Sequence, residues 1–257
     1  MTALYFRCRA SPTYLAHLFK AVFKQHHKPL IPIFRRVIPE DGVVLDVGAH
    51  AGQYAKIFSR LTPRGQVYAF EPGSYARSIL RVALALNRCR NVAILPLGLG
   101  AREGAEILTL PVKRPGSYGF GLAHFGPNAR WENVEREAVA VSTIDRMVEL
   151  LQLPRLDFIK ADIEGWELQL VRGSLRAIQR FRPILLLELN AEALARAGDN
   201  LATAFATITE LGYRPAMREA KGSLRPVTEP RSGDIWWLPT ESSILTPASA
   251  AEGQHAR

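Results

Sequence analysis

Two short stretches carry the residues best suited to chemistry. The first is Val43-Val44-Leu45-Asp46-Val47-Gly48-Ala49-His50-Ala51-Gly52-Gln53-Tyr54, a β-branched run that meets two glycines and then a helical pattern. Gly48 lets the backbone turn sharply and approach a ligand with no Cβ in the way, and Gly52 lets the following helix pack closely and face an anion with its first N–H groups. A carboxylate or phosphate suits such a turn. The spacing is Gly-x-x-x-Gly, not the Gly-x-Gly-x-x-Gly of pyrophosphate-binding folds, which argues against a nicotinamide oxidoreductase. Glu71 closes the next apolar run, 25 residues after Asp46, where a strand-end acid can accept hydrogen bonds from both hydroxyls of a ribose. The two features in this order point to a nucleoside bound beyond the carboxyl ends of the strands.

The second stretch is Leu156-Asp157-Phe158-Ile159-Lys160-Ala161-Asp162-Ile163-Glu164-Gly165-Trp166-Glu167. If its apolar half is a strand running to Ala161, alternation puts Lys160 and Asp162 on one side, with Glu164 in the turn that follows. These groups then reach a bound cofactor and an acceptor. The same residues also suit a structural role, with Lys160 paired to a carboxylate and with Glu164 and Glu167 at the positive end of the next helix. Asp162, Glu164, Glu167 and Glu188 offer oxygen ligands, but they form no self-sufficient metal signature, and no metal is assigned.

Both stretches need a scaffold. Buried strands are expected at Val43–Val47, Val67–Glu71, Val92–Leu97, Asp157–Ala161 and Ile184–Glu188. Helical periodicity falls between them at Gln53–Leu61, Tyr75–Asn87, Gly165–Phe181 and Glu192–Leu211. This alternation predicts an α/β, doubly wound fold: a mainly parallel sheet with helices on both faces. Further strands are expected at Glu106–Leu110, Ala138–Val141, Tyr213–Met217 and Asp234–Leu238. Residues 41–239 form one domain in this reading, with an insertion at 111–137 and a frayed tail at 240–257. The insertion sets Tyr118, Phe120, His124, Phe125 and Trp131 among Gly116, Gly119, Gly121 and Gly126, a composition suited to a lid over the acceptor or to a packed surface loop.

The chain has 257 residues and a net charge of +9. Residues 1–40 supply much of that charge through Arg7, Arg9, Lys20, Lys24, Lys28, Arg35 and Arg36 against Glu40 alone. Tyr14, Leu15, Leu18, Phe19, Val22 and Phe23 recur there at helical spacing, giving a basic amphipathic helix expected to pack on the domain; the same helix could lie on an anionic membrane or cap a cofactor pocket. No basic-aromatic RNA motif accompanies the charge, so nucleic acid is not the expected partner. No apolar run is long enough to span a bilayer, and two cysteines, Cys8 and Cys89, are too few for a disulfide framework. The expected compartment is the cytoplasm.

Five ordered motifs resemble those of the FkbM-type S-adenosylmethionine-dependent methyltransferases: residues Asp46–Gly52, Phe70-Glu71-Pro72, Val141–Asp145, Asp157–Glu167 and the strand from Arg182-Pro183 to Glu188. The middle of the glycine turn is usually Asn in that family and is His50 here. The resemblance implies a Rossmann-like fold whose last strand is antiparallel, and S-adenosylmethionine as methyl donor, with cofactor contacts from Asp46, Gly48, Ala49, His50, Gly52, Tyr54, Glu71, Pro72, Leu97, Gly98 and Asp162. In that placement the glycine turn lies under the methionine moiety, Glu71 holds the ribose, Leu97 and Gly98 end the third strand near the adenine, and Asp162 stands by the methyl group. It also implies methylation of a hydroxyl on a small molecule or glycan; a neutral hydroxyl is a poor nucleophile, so assistance is expected from Asp162 or Glu164, which converge on one sheet edge, with Lys160 and His50 as further catalytic candidates. Competing readings are an RNA or protein methyltransferase, suggested by the charge, and a non-catalytic protein that only binds the cofactor.

Overall fold

The computed structural model describes residues 11–114, 117–118, 123–125, 133–219 and 222–243. Among the described residues, the α-helices α1 (Pro12–Phe23) and α2 (Ile31–Val37) precede the first strand. Ser11 starts α1 by accepting the Tyr14 N–H on its hydroxyl, with Pro12 at the first helical position, where a missing N–H costs nothing. Then follow β1 (Val43–Val47), α3 (Gln53–Leu61), β2 (Gln66–Phe70), α4 (Ser74–Leu86) and β3 (Val92–Leu95). A second group of strands comprises β4 (Gly98–Leu99), β5 (Gly104–Arg114), β6 (Ser117–Tyr118), β7 (His124–Phe125) and β8 (Val134–Ser142). The chain returns through α5 (Ile144–Leu150), β9 (Phe158–Ala161), α6 (Glu167–Arg172), α7 (Leu175–Phe181), β10 (Ile184–Leu189), α8 (Ala191–Arg196) and α9 (Leu201–Glu210), and closes with β11 (Tyr213–Arg218), β12 (Leu224–Pro226) and β13 (Gly233–Pro239).

Eight strands form one sheet in the order β12-β11-β13-β10-β9-β1-β2-β3. From β10 to β3 every pairing is parallel, and β11, β12 and β13 join antiparallel, so the fold is Rossmann-like as expected and the antiparallel edge holds three strands where one was foreseen. Alternation splits the strand side chains cleanly. Leu45, Ile159, Leu187 and Trp237 enter one core with α5 to α9, whereas Val44, Phe158, Leu186 and Trp236 enter another with α2 and α3. On that second face the positions nearest the site, Asp46, Lys160, Glu188 and Asp234, are charged.

Three expectations need correction. The third strand stops at Leu95, not Leu97, because Pro96 has no N–H to continue the ladder; the chain then leaves the sheet and pairs Gly98 with Val141 in the second sheet. The helix expected over Gly165–Phe181 is two helices, since Gly165 sits at φ +107° and Gly173 packs so closely on Gly100 that a Cβ would lie 2.0 Å from its carbonyl oxygen. The helix expected over Glu192–Leu211 breaks at Gly198 (φ +80°), after which Asn200 starts α9 by accepting the Thr203 N–H.

The segment taken as an insertion begins and ends as strand: β5 and β8 run side by side in register from Gly104↔Val141 to Pro111↔Val134. Phe120, Trp131 and the four glycines Gly116, Gly119, Gly121 and Gly126 lie outside the described residues, as do residues 1–10 and 244–257. Among the described residues, no helix is long and apolar enough to cross a membrane.

Candidate functional site

The turn after β1 is wedged between the ends of its two neighbours. Gly48 and Ala49 both donate their N–H groups to the Phe70 carbonyl at 3.0 Å, and the Asp162 N–H reaches the Val47 carbonyl at 3.2 Å. Gly48 is at φ +71°, and a Cβ there would stand 2.1 Å from the Asp162 carbonyl oxygen, so no other residue fits. Gly52, at φ +83°, brings the start of α3 against Leu80. His50 is also left-handed, at φ +51°. His is among the non-glycine residues that tolerate this region best, which accounts for a side chain at this position. What the position supplies to its surroundings is a backbone group: the His50 N–H donates to Glu71 Oε2 at 2.8 Å.

Glu71 follows β2 and is buried. Its second oxygen accepts the Gly73 N–H at 2.8 Å, so the carboxylate is clamped between the glycine turn and the start of α4. Burial pushes its pKa up to about 7, against the opposing pull of the two N–H groups, Arg77 and Lys160. Arg77 itself turns back to the carbonyls of Glu71 and Pro72.

A cleft of about 230 Å³ opens at these strand ends. Gly48, Ala49, His50, Glu71 and Pro72 form one side, Lys160, Asp162, Ile163 and Glu164 another, and Tyr54 lies between them. The second sheet covers the cleft with Leu108, Ala123, His124 and Phe125, so the described part of the expected lid does face it. Phe125 is backed by Trp166, with ring centres 4.6 Å apart.

Residues 46–215 match the methyltransferase FkbM domain, about two thirds of the chain. The chain belongs to the FkbM methyltransferase family. The methyltransferase sdnD of Sordaria araneosa is 26% identical over 61% of this chain and 67% of its own length. The hexuronic acid methyltransferase AglP of Haloferax volcanii is 26% identical over 59% of this chain and 57% of its own. Each relative therefore has length that this chain does not match. Among solved structures, the cofactor-bound Rv0187 from MTB superposes with a TM-score of 0.50 at 13% identity, covering 89% of this chain and 88% of that one, which is a likeness of fold.

In this FkbM chain the second motif builds a charged cluster. Lys160 is buried, with its ammonium 3.7 Å from Asp162 Oδ2, 3.9 Å from Asp46 Oδ1, 3.5 Å from the Gly48 carbonyl and 4.7 Å from the centre of the Tyr54 ring. Asp46 is fully enclosed beneath the turn, and burial outweighs Lys160 to push its pKa up to about 6. Asp162 faces the cleft with its side chain 38% exposed. Behind it, Glu188 pairs in register with Asp234, and burial together with the Asp162 charge holds the Glu188 carboxyl well above the usual range.

The other acids of the motif have partners of their own. Glu164, at φ +54°, stands 3.8 Å from Arg196, and burial raises its pKa. Glu167 is fully buried and receives the Ile163 and Gly165 N–H groups at 2.9 and 3.1 Å, so it holds the turn before α6 together and does not reach the cleft. Among the described residues, no three His, Cys, Asp or Glu side chains are arranged to hold a metal ion. Burial lowers the His50 pKa to about 4, leaving a neutral imidazole that is a reluctant proton acceptor.

The FkbM motifs therefore converge, but not every residue named from sequence lines the cleft. Asp46 and Gly52 act from behind it. Leu97 packs against the main core, and Gly98 sits so close to Phe125 that a Cβ would lie 2.8 Å from the ring, because the strand they were expected to end has already stopped. Sequence reasoning passed over His27, which stacks on Tyr54 at 4.1 Å and forms part of the rim. No periodicity marks a residue in a short turn, and the contact arises only when the segment after α1 folds back over α3.

Proposed function

We propose that this chain is an S-adenosylmethionine-dependent methyltransferase acting on a hydroxyl group of a small molecule or glycan. The observation that carries the reading is Glu71. It is a buried carboxylate fixed by two backbone N–H groups at the end of β2, beside a turn at Gly48 that leaves no room for a side chain. A carboxylate holding two N–H donors still has lone pairs for two ribose hydroxyls, and Gly48 lets a ligand lie against bare backbone. These features fit a nucleoside cofactor. Gly48, Ala49 and His50 would hold its amino-acid end, Glu71 its ribose, and Tyr54 and Pro72 would flank it; Asp46 supports from behind by pairing with Lys160. When bound, S-adenosylmethionine supplies a methyl group on a positively charged sulfur, open to attack by an oxygen in line with the departing bond.

The chain's own residues would do two things. The cleft would hold the acceptor in line, a contribution worth about 7 to 11 kcal/mol in well-oriented reactions. Asp162 would take the acceptor hydroxyl proton, adding roughly 10²- to 10⁴-fold. The cluster behind it suits proton removal, since the Lys160 ammonium stands 3.7 Å from Asp162 Oδ2 and the raised pKa of Glu188 limits repulsion among the neighbouring acids. Glu164, drawn toward Arg196, is the secondary candidate. The hexuronic acid specificity in the name of one relative supports a sugar-type acceptor.

Calorimetric titration with S-adenosylmethionine and its demethylated product tests the pocket, and mass spectrometry of extracts incubated with methyl-labelled cofactor finds the acceptor. Binding of neither compound would reject the proposal. Tight binding with no labelled product from any extract would favour a protein that holds the cofactor without turning it over.

A further inference from the structure

The amino-terminal helix α1 has two apolar faces, and the domain uses only one. Inward, Tyr14 and Ala21 are buried against α4, with the Tyr14 hydroxyl 3.1 Å from Ser78 Oγ and His17 Nδ1 2.9 Å from the Tyr75 hydroxyl. Outward, Leu15, Phe19 and Phe23 are 57%, 60% and 71% exposed. Their i, i+4, i+8 spacing confines them to an arc of about 80° on the helix surface. Phe19 and Phe23 touch each other, with ring centres 4.8 Å apart, and among the described residues nothing else covers them. Isolated apolar residues on a surface are ordinary, but a row of three large ones along one helix is a contact surface.

Charge identifies the partner. The sequence has no Asp or Glu before Glu40, and none from Pro72 to Arg102. The first of these stretches contains α1, and the second contains α4, on which α1 packs. Lys20 and Lys24 are exposed beside the apolar row, and Arg81, Arg88 and Arg90 are exposed on and just after α4. The Asn87 side chain donates to the Val22 carbonyl, which brings the end of α4 and the exposed Leu86 to the Phe23 end of the row. A partner that accepts large apolar side chains and is negatively charged around them is an anionic lipid bilayer, into which such a helix lies parallel to the plane while its lysines reach the headgroups.

We infer that α1 is a docking surface for anionic membranes, distinct from the cleft and independent of any methyl transfer. The segment that follows α1 ties this surface to the cleft rim. Gln25 donates to the Gln53 carbonyl, the His26 N–H reaches the Gln53 side chain, and His27 stacks on Tyr54. The buried Lys56 ammonium also grips the carbonyls of Ala21 and Lys24, so the helix is held rigidly on the domain. Docking would therefore place the cleft mouth beside the lipid surface.

The test is co-sedimentation of the full chain with vesicles of phosphatidylcholine alone and of phosphatidylcholine mixed with phosphatidylglycerol, at low and high salt. The wild type should bind the anionic vesicles, lose most of that binding in high salt, and ignore the neutral ones. A triple variant Leu15→Gln, Phe19→Gln, Phe23→Gln should bind at least roughly tenfold more weakly, and so should Lys20→Glu with Lys24→Glu. All five positions are exposed, and an unchanged circular dichroism spectrum and melting temperature would show that the variants fold. Wild type that ignores anionic vesicles, or a triple variant that binds them as well as wild type, would overturn the inference. So would concentration-dependent self-association that the triple variant abolishes without any vesicle binding, because a second copy of the chain would then be what the row of side chains meets.

Discussion

The two halves of the cleft are made of different material. Around Gly48 and Glu71 the shaping groups are backbone: two N–H groups on the Phe70 carbonyl, two on the Glu71 carboxylate, and a left-handed turn with no space for a Cβ. Around Lys160 and Asp162 they are side chains, with one buried ammonium set among Asp46, Asp162, Glu188 and Asp234. A wall of backbone fixes shape and tolerates little substitution, because any added atom meets main chain. A cluster of side chains fixes charge and proton affinity, and it can be altered one group at a time without unfolding the turn. The first half suits holding a cofactor and the second suits moving a proton.

The comparison breaks most readily at Gly48. A Gly48→Ala variant would put its Cβ into the Asp162 carbonyl and a side chain into a left-handed position, costing about 2 to 4 kcal/mol of stability and abolishing cofactor binding. Urea unfolding and calorimetry check both, and a stable variant with wild-type affinity would show that the turn has slack. On the other side, Asp162→Asn should lower methyl incorporation by roughly 10²- to 10⁴-fold while leaving cofactor affinity within a few-fold, read by labelled-product mass spectrometry alongside titration. Loss of binding in place of rate would move Asp162 into the holding half.

Glu71→Gln keeps the shape of the side chain but sets an NH₂ group against one of two N–H donors, so cofactor affinity should fall about 10- to 100-fold. Acidity sharpens the same point. Ribose hydroxyls donate to the ionised carboxylate, so affinity should rise with pH up to about 7, where Glu71 ionises, and level off above; the Gln variant should show a flatter profile.

Stability should run the opposite way. Glu71 and Glu167 both have pKa values raised from 4.5 to about 7 by burial, so the folded state binds protons that the unfolded state has released. Their contribution is full below about pH 4.5 and is lost as pH rises through about 7, on the order of 3 kcal/mol for each group. The urea midpoint of the unliganded chain should therefore drop between about pH 4.5 and 7 and level off above. The smallest effect is expected at Glu164, whose carboxylate already leans toward Arg196: Glu164→Gln should change methyl incorporation less than about tenfold. A loss as large as that of Asp162→Asn would exchange the two assignments.

Much of this was legible in sequence wherever one local rule governed the outcome. β1 and α3 fall where the apolar run and the helical period place them, and Lys160 and Asp162 share a side because strands alternate. The divided helices were signalled by Gly165, Gly173 and Gly198, but a glycine inside a periodic pattern does not announce whether it will be tolerated or will end the helix. At Gly173 the answer depended on Gly100, seventy-three positions earlier in the chain. Likewise Pro96 marked the end of β3, yet the place where Gly98 and Leu99 would go depended on the second sheet.

The amino-acid sequence by itself determined the alternation of central strands and helices, the glycine turn and the family, because each depends on neighbours within a few residues or on an ordered set of motifs. The tertiary structure alone decided which acids face the cleft and which are spent inside the fold. Glu167 and Asp162 are five residues apart and chemically alike, but one is consumed by backbone N–H groups in a turn while the other opens on the cleft beside a buried lysine. Burial and charge at a given atom are sums over everything packed around it, and those neighbours come from strands that meet only when the sheet is assembled.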